Sequence, residues 1–446
     1  MESKIKDGYR EIGVPKDLVR AIMAAETSWI FDPLEAIIEA PTMSLDGTIL
    51  DKPGYDLATG LYYDPRNMPT VPKFVAKPTA DNALAALDVL DDVLDEFAFA
   101  DDEGGEGESK STAIAAIIAT GIRRVLPMAP AILIDAPGQS NGKTLLADLI
   151  AKIWTGRGAG ATQWAGDSAE QRKVITSILV AGDLVVNFDN VTAPIGGPAI
   201  CSVMTAQENF KDRQLGSTKM LELPTCVMWI FTGNNMTVRD DMSTRVLRIL
   251  LDAQMERPDL RTFRRSDLLA YVGERRGALV HAALTILRAY IIAGKPLVSI
   301  SGKPFKVSGR FNEFSNIVAA ALVWLDRADP LGSQRAVVAD DPVRETRQTV
   351  LHAWQAAYGD RWLTAREIME DDGPTPVGDK VRAALGEIDV GGTSHGALAV
   401  KLKSFERLII DGLKLVRRPA KKNTPTAWQL QTVVQAEAKD PFADLM

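Results

Sequence analysis

The stretch that most constrains the fold of this chain is AILIDAPGQSNGKTLLADLIAKIW, residues 131–154. It opens with an apolar run, passes through a turn that contains Gly138 and Gly142, and continues with apolar residues at helical spacing. The later apolar runs DLVVNFD, CVMWIFT and RVLRILLD alternate with helical patterns up to about residue 255. This alternation predicts an α/β core with a mainly parallel sheet.

The turn fits the phosphate-loop pattern G-x-x-x-x-G-K-[ST], except that Pro137 replaces the first glycine. Glycines let backbone N–H groups close around phosphate oxygens, and the next helix adds its positive dipole end. We expect Lys143 to reach the β and γ phosphates of ATP and Thr144 to hold Mg²⁺. An ordinary strand-to-helix turn with an exposed lysine is the alternative. The predicted nucleotide contacts are Gly138, Gln139, Ser140, Asn141, Gly142, Lys143, Thr144 and Leu145.

The next apolar run ends in the carboxylate that such a site requires. Asp189 closes DLVVNFDN, where it is expected to orient Mg²⁺ together with Thr144. A strand-end aspartate that caps a turn is the alternative. Asn190 follows at the place where many related ATPases carry a glutamate that activates water, so the general base is unassigned.

Polar residues also follow the third apolar run and precede the fourth. Asn234 and Asn235 end CVMWIFTGNN, where an amide can contact the γ phosphate or the attacking water. Arg245 and Arg248 flank the start of the last run, and an arginine there can reach the γ phosphate of a neighbouring subunit. Each residue has a structural alternative, a turn amide or a surface ion pair. Their order and spacing together predict a ring-forming ATPase.

Composition excludes several other classes. With 446 residues the chain has room for about three domains, and its net charge of −7 argues against wholesale coating of nucleic acid. Two cysteines and three scattered histidines provide neither a disulfide framework nor zinc spacing. The amino terminus lacks a signal-peptide core and the apolar runs are shorter than a membrane span, so we expect a soluble, cytoplasmic protein without a membrane partner.

Shifts in composition divide the chain. An acidic and then glycine-rich segment, DDVLDEFAFADDEGGEGES, predicts a solvated linker. Turn signals in residues 44–65 predict a small β-rich module before it. Helices followed by two strands around the basic turn RRPAKKNTP resemble a winged helix, with Thr364 as a helix cap. The predicted parts are 1–90, the β-rich module; 91–111, the linker; 112–255, the ATPase core; 256–340, helical; 341–435, winged-helix-like; and 436–446, a tail.

The motifs GQSNGKT, NFDNV, DRQLGSTKMLELP, TGNN and DDMSTRVLRILLD together resemble superfamily three helicases of the AAA+ class, in the phage, poxvirus and mobile-element primase-helicase branch. The resemblance implies an AAA+ P-loop core with a helical lid. It also implies a hexameric ring that uses ATP to move along single-stranded or forked DNA, often with a primase, in a bacterial host. No primase fits before residue 112, so the chain is expected to be a stand-alone helicase or the helicase part of a larger protein.

In such helicases a hairpin before the asparagine strand carries a basic residue into the ring channel. FKDRQLGSTKMLELP occupies that interval, so Lys211, Arg213 and above all Lys219 are the candidates, with a solvated surface hairpin as the alternative. A second DNA contact is expected on the basic stretch 401–422, at Lys401, Lys403, Arg407, Lys414, Arg417, Arg418, Lys421 and Lys422.

Two further functional classes stay open. One is a DNA-dependent ATPase that recognises an origin or loads replication proteins without processive unwinding. The other is an oligomeric scaffold that nucleotide only locks in place, an interpretation that Asn190 leaves open.

Overall fold

The computed structural model describes most of the chain. The described residues are 2–5, 8–11, 14–24, 32–100, 107–207, 209–214, 216–370, 381, 395–403, 405–406, 408–420 and 425–433. Within them, no helix combines the length and the apolar character that crossing a membrane requires. The predicted tail and residues 101–106 of the predicted linker lie outside these ranges.

Short strands dominate the amino-terminal part. Strands β1 (Glu2–Ile5) and β2 (Gly8–Glu11) pair antiparallel and precede helix α1 (Lys16–Ala24). The next strands are β3 (Ala36–Ile38), β4 (Thr42–Met43), β5 (Ile49–Leu50), β6 (Gly54–Tyr55) and β7 (Leu61–Tyr63). Strand β7 pairs in parallel with β3 and antiparallel with β6, while β4 pairs antiparallel with β5. Ala40 and Met43 join the main hydrophobic core, so the segment around β4 packs on the rest of the molecule, whereas α1 has no buried residue.

The first half of the predicted linker is a packed helix. Helix α2 (Ala80–Leu94) begins at Thr79 with a capping box and buries Leu87, Leu90 and Leu94 in the main core. The prediction of a solvated linker from residue 91 is therefore wrong for residues 91–94, because apolar residues at helical spacing outweigh the acidic ones. The acidic residues pair with cations instead. Asp91 binds Lys110 and Arg327, and Asp92 binds Arg264, Arg265 and Tyr271.

The central block contains the predicted parallel sheet. The strands described there are β8 (Ala131–Ala136), β9 (Val185–Val191), β10 (Asn209–Arg213), β11 (Met220–Pro224), β12 (Met228–Asn234) and β13 (Val246–Leu250). Four of them form one sheet in the order β13-β8-β12-β9, with every neighbouring pair parallel. Strand β8 is fully buried, as expected for a central parallel strand. A mixed α/β fold with a parallel sheet is confirmed.

Helices cover this sheet. They are α3 (Glu108–Gly121), α4 (Lys143–Thr155), α5 (Ser168–Ala181) and α6 (Pro198–Thr205). Helix α4 is the next element after β8. The turn between them, residues 137–142, therefore lies at the carboxyl end of β8 and at the amino end of α4. Gly121 of α3 lies against the ring of Trp154 on α4, where a side chain would collide at 2.2 Å. This close contact fixes α4 relative to α3.

The region from 256 to 340 is mostly helical. It contains α7 (Leu268–Ile292), strands β14 (Ser299–Ile300) and β15 (Lys303–Pro304), a π-helical segment (Phe314–Ala319), α8 (Ala320–Trp324) and α9 (Gly332–Ala339). The buried face of α7 belongs to the same hydrophobic core as the sheet. Arg276 on α7 donates hydrogen bonds to the carbonyls of Ile153, Trp154 and Glu39, which ties α7 to α4 and to the amino-terminal part.

The carboxy-terminal region has its own core. It contains α10 (Pro342–Tyr358), β16 (Leu363–Thr364), α11 (Ala365–Met369), α12 (His395–Lys403), β17 (Ile409–Ile410), β18 (Leu413–Arg418) and β19 (Ala427–Thr432). The strands form an antiparallel sheet in the order β16-β19-β18-β17. Trp354, Phe405 and Trp428 lie in a hydrophobic cluster separate from the main one. Thr364 caps α11 through a capping box with Glu367, as predicted.

Candidate nucleotide and DNA sites

The phosphate loop, residues 137–144, joins the carboxyl end of β8 to the amino end of α4. Its backbone has positive φ at Ser140 (61°) and Gly142 (88°). The loop is shaped by Asn141, which is 4% exposed: its amide donates to the carbonyls of Gly138 (3.1 Å) and Gln139 (3.2 Å). The side-chain oxygen Oδ1 of Asn141 accepts a hydrogen bond from the backbone N–H of Ala253 at 3.1 Å. Asn141 therefore supports the loop from beneath and ties it to the segment after β13.

Lys143 lies at the start of α4 and folds over the loop. Its Nζ donates to the carbonyl of Gly138 at 2.8 Å and to Oδ1 of Asn234 at 2.7 Å. Burial lowers the pKa of Lys143, while the carboxylates of Asp135 and Asp189 oppose that shift. The loop and the end of β12 thus converge on one ammonium group, because β12 lies directly beside β8 in the sheet.

The side chains of Thr144 and Asp189 are in contact. The Thr144 hydroxyl donates to Oδ1 of Asp189 at 3.0 Å, and the Thr232 hydroxyl of β12 donates to the same oxygen at 2.6 Å. A hydroxyl and a carboxylate oxygen side by side are the hard oxygen ligands that Mg²⁺ prefers. Among the residues the structure describes, no group of three or more His, Cys, Asp or Glu side chains forms a metal cluster. A magnesium ion that keeps several waters and takes phosphate oxygens needs few protein ligands, so these two residues fit it.

The three asparagines lie around this edge of the sheet. Asn190 follows Asp189, is exposed, and has positive φ (51°). Asn234 contacts Lys143, whereas Asn235 is exposed, has φ of 47°, and donates from Nδ2 to the carbonyl of Pro137 at 3.3 Å. Asn234 is therefore directed at the centre of the site, and Asn235 braces the entrance of the loop.

Two further residues of this region, Thr232 and Asp135, are not among the contacts that the sequence predicts. Thr232 fixes the carboxylate of Asp189, as described above. Asp135 is the second-last residue of β8; it is 6% exposed and accepts hydrogen bonds from the backbone N–H groups of Ala136 (2.9 Å) and Met236 (3.2 Å). Burial raises the pKa of Asp135, and those hydrogen bonds oppose the rise. The signal for both was a single polar residue inside an otherwise apolar strand run.

Arg245 and Arg248 do not reach the phosphate loop of their own chain. Arg245 precedes β13, whose first residue pairs with Ala131 at the start of β8, so it lies at the opposite edge of the sheet from the loop. It is 6% exposed and donates from Nη2 to Asp241 at 2.6 Å. Arg248 donates to Asp340 at 2.7 Å. Both arginines are thus paired with aspartates of their own chain.

Two cavities flank the loop. One, of about 250 Å³, has mainly apolar walls and lies where the segment after α2, the start of α4 and the start of α7 approach the loop; its walls include Phe97, Leu145, Phe263 and Leu268. The other, of about 450 Å³, lies between the loop and the segment after β13 and includes Pro137, Gln139, Asp252 and Arg257. The first cavity offers flat apolar surface next to Asn141 and Gly142, whereas the second combines charged side chains with the apolar surfaces of Pro137, Met255 and Pro258.

The hairpin predicted between Asp189 and Asn234 is present as β10 and β11, paired from Asn209–Pro224 to Arg213–Met220. Lys211, Arg213 and Lys219 are all exposed on it. Lys211 forms an ion pair with Glu222 at 2.7 Å, and the turn closes with the backbone N–H of Gln214 donating to the carbonyl of Lys219. The hairpin therefore presents three cations to solvent.

The basic stretch in the carboxy-terminal region is less uniform than its sequence suggests. Lys401 is a correction: it is 8% exposed, because it shares a face of α12 with the buried Leu398 and Leu402. Lys403 and Arg418 are exposed, and Arg418 lies over the ring of Trp362. Lys414 is half-buried, and the half-buried Arg417 pairs with Glu406 at 3.1 Å. The predicted contacts Arg407, Lys421 and Lys422 lie outside the described residues.

No family model matches the chain, and no curated protein sequence matches it. Among solved structures, the A-form apo structure of the NrS-1 C-terminal region is 10% identical, with a TM-score of 0.43 over 97% of this chain and 93% of that chain. The X-ray structure of JCV helicase is 15% identical, with a TM-score of 0.24 over 61% of this chain and 71% of that chain.

Proposed function

We propose that the protein is an ATP-dependent DNA helicase. The observation that carries the proposal is the convergence of Lys143, Thr144, Asp189 and Asn234 at one edge of the parallel sheet. A cationic group, a hydroxyl, a carboxylate and an amide around a glycine-containing loop are the parts that hold a nucleoside triphosphate and its magnesium ion. A chance turn with an exposed lysine would not bring together residues from α4, β9 and β12.

The chain's own residues divide the work of hydrolysis. The loop N–H groups and Lys143 bind and orient the phosphates, and Asn234 positions the γ phosphate or the attacking water. Thr144 and Asp189 would hold Mg²⁺, which neutralises the charge that develops on the phosphate oxygens. Asn190 can orient a water molecule through its amide but cannot take a proton from it. Catalysis by positioning and charge stabilisation therefore dominates at this site.

The apolar cavity beside the loop is the proposed base site. Phe97 and Phe263 provide flat surfaces, and Leu145 of α4 closes the side next to the loop. A planar base that stacks there leaves its phosphates at the amino end of α4. Helix α7 and the helices that follow it form the proposed lid over this cavity.

The DNA-moving part of the proposal rests on the hairpin. In a hexameric ring with one hairpin per subunit, Lys219 and Arg213 would line the channel with a positive ring that tracks a phosphate backbone without reading bases. Arg245 would act on the nucleotide of the neighbouring subunit. The carboxy-terminal region is a proposed winged helix that contacts duplex DNA through Lys403, Arg417 and Arg418. The phage or mobile-element setting and a partner primase follow from the sequence resemblance.

A strand-displacement assay on a tailed duplex tests the proposal. Wild-type protein should release the displaced strand only with ATP and Mg²⁺. Lys219→Ala should lose unwinding and keep basal ATP hydrolysis, whereas Lys303→Ala, an exposed lysine on the β14–β15 hairpin, should unwind normally. ATP hydrolysis without strand release by the wild type would contradict a helicase.

One observation favours a second function. The carboxy-terminal region has its own core and exposed basic groups, so it can hold DNA independently of the ATPase. A DNA-dependent ATPase that positions other replication proteins at an origin needs only this anchoring and the nucleotide site. Sequence-selective duplex binding with no unwinding would establish that function.

A further inference from the structure

The hairpin is fastened to the ATPase core through the side chain of Asp212. Along β10, Lys211 and Arg213 are exposed, while Asp212 between them is 5% exposed and faces helix α5. Its Oδ1 accepts from Nε of Arg172 at 2.9 Å and lies 2.5 Å from Nη2 of the same guanidinium. Its Oδ2 accepts from the hydroxyl of Thr176, one turn further along α5. We call these three residues, Arg172, Thr176 and Asp212, the hairpin clamp.

The clamp is charged under ordinary conditions. Burial alone would raise the pKa of Asp212, but the hydrogen bonds from Arg172, Thr176 and the backbone N–H of Arg213 outweigh it and hold the pKa below its usual value. A buried carboxylate that accepts from a guanidinium, a hydroxyl and a backbone amide is held in one orientation. The base of the hairpin is therefore held against α5, whereas Lys219 lies at its exposed tip.

The amino end of α5 connects to the segment beside the nucleotide site. The chain enters α5 from a segment that pairs with β9: the backbone N–H of Thr162 donates to the carbonyl of Asn187 at 2.9 Å, and the backbone N–H of Asp189 donates to the carbonyl of Thr162 at 3.0 Å. Trp164 packs edge-on against Phe188, with ring centroids 5.0 Å apart. The segment before α5 thus contacts the backbone of the residue proposed to orient magnesium.

Helix α5 is also rigidly capped at this end. Asp167 accepts hydrogen bonds from the backbone N–H groups of Ala169 and Glu170, each at 2.9 Å. Gln171, which is 5% exposed, donates to the carbonyl of Ala165 at 2.7 Å. These contacts join the segment beside Asp189 to α5, and the clamp joins α5 to the hairpin, so the three are connected through packed and hydrogen-bonded groups.

We propose that Asp212 is a positioning residue that couples the nucleotide site to the hairpin by holding the hairpin to α5. The inference deepens the proposed function and rests on it. Asp212 itself touches neither ATP nor DNA in this scheme. Breaking the clamp should separate the two activities and leave each of them intact.

The test is Asp212→Asn in the full-length protein, which removes the charge and keeps the shape. Basal ATP hydrolysis and the affinity for single-stranded DNA should each stay within about twofold of wild type. The stimulation of hydrolysis by single-stranded DNA should fall about fivefold or more, as expected when a coupling of allosteric size is lost. The change in DNA affinity on adding a non-hydrolysable ATP analogue should disappear with it, because coupling between two binding sites is reciprocal.

Arg172→Gln provides an independent route, because this side chain is 57% exposed and its loss leaves Thr176 in place. It should reproduce the uncoupling, Arg172→Lys should restore part of the coupling, and the double variant with Asp212→Asn should be no worse than either single change. The matched control is Lys173→Gln, the neighbouring residue on α5, which pairs only with the exposed Glu170 among the ion pairs described and should behave as wild type.

The outcomes separate the two proposals. If Asp212→Asn and Arg172→Gln keep both the stimulation and the analogue effect, or if Lys173→Gln loses them equally, the coupling role of the clamp is overturned and the proposed helicase stands. If wild-type protein hydrolyses ATP with no response to DNA, the proposed function is overturned, and the inference with it.

Discussion

The nucleotide site and the hairpin are built in opposite ways. At the nucleotide site, Lys143, Thr144 and Asp189 are each hydrogen-bonded to another group of the site. On the hairpin, Arg213 and Lys219 extend into solvent, and the buried Asp212 provides the anchor. The difference follows from the tasks proposed for them. Phosphoryl transfer requires catalytic groups whose positions are fixed before the reaction. Contact with a DNA backbone that moves past the protein requires positive charge on exposed side chains that can adjust.

The sharpest way to break this comparison is Lys143→Ala. We expect ATP hydrolysis to fall to background, because the phosphates lose the cation that orients them, and nucleotide affinity to weaken as well. Steady-state phosphate release and binding of a fluorescent ATP analogue measure the two effects. Lys152→Ala, further along α4, is the control and should hydrolyse ATP normally. Wild-type turnover by Lys143→Ala would show that the phosphate loop is misassigned.

Arg245→Ala tests whether the site is shared between subunits. An arginine supplied by a neighbour accelerates phosphoryl transfer by about 10³ to 10⁵, so turnover should fall by about 10³. Mixing Arg245→Ala with Lys143→Ala protein should partly restore hydrolysis at interfaces where both intact groups meet. Absence of recovery, with subunit exchange demonstrated by labelled protein, would place Arg245 in a purely structural pair with Asp241.

Thr232→Val tests how much the fixed geometry of the nucleotide site matters. The change keeps the shape of the side chain and removes the hydroxyl that orients Asp189. We expect the magnesium concentration for half-maximal hydrolysis to rise by about tenfold. This is the size of effect that follows when a residue that hydrogen-bonds to a metal ligand is lost. Thr237→Val, an exposed residue after the same strand, should leave the magnesium dependence unchanged. An unchanged dependence in Thr232→Val would mean that Asp189 needs no such support.

Lys219→Ala sharpens the other half of the comparison. The loss of DNA stimulation should be about fivefold or more, while basal hydrolysis and the assembled ring persist. Assays with single-stranded DNA of several sequences should give the same affinity, because a positive ring contacts phosphates and not bases. Normal unwinding by the double variant that combines Arg213→Ala with Lys219→Ala would place the channel contact elsewhere.

The smallest effect is expected in the carboxy-terminal region. Duplex DNA binding by the fragment 341–446, which contains a hydrophobic core of its own, should weaken steeply as salt rises. Lys403→Ala should reduce the slope of log affinity against log salt by about 1, as for one lost phosphate contact. Lys401→Ala should leave the slope unchanged and lower the melting temperature, since Lys401 is buried. A folded fragment without affinity for DNA at low salt would remove this region from the DNA site.

Much of the nucleotide site could be predicted from local sequence. The strand, turn and helix of residues 131–154 are adjacent in the chain, and Asp189 was identified because strand-end carboxylates of parallel strands meet at one edge. Thr232 could not be identified in this way. Its contact with Asp189 requires β12 to lie between β8 and β9, and strand order is not encoded in the periodicity of any single strand.

The charged residues of this sequence indicate burial less well than the spacing of its apolar residues does. The acidic residues Asp91 and Asp92 suggested a solvated segment, but cations from distant parts of the chain neutralise them on a packed helix. Lys401 was counted with its basic neighbours, although the spacing of Leu398 and Leu402 places it on a buried face. In both cases the burial of the charged residue depends on the residues that the fold places next to it. A run of charges in the sequence does not identify those neighbours.

The hydrogen bonds that Lys143 makes bear on how it would bind the proposed nucleotide. Its ammonium group has three N–H donors, and Gly138 and Asn234 accept from two of them. In the proposed complex the third N–H would donate to a phosphate oxygen, while the two existing contacts keep the side chain in place. A side chain that is already ordered loses less conformational entropy on binding, so more of the interaction energy would appear as affinity.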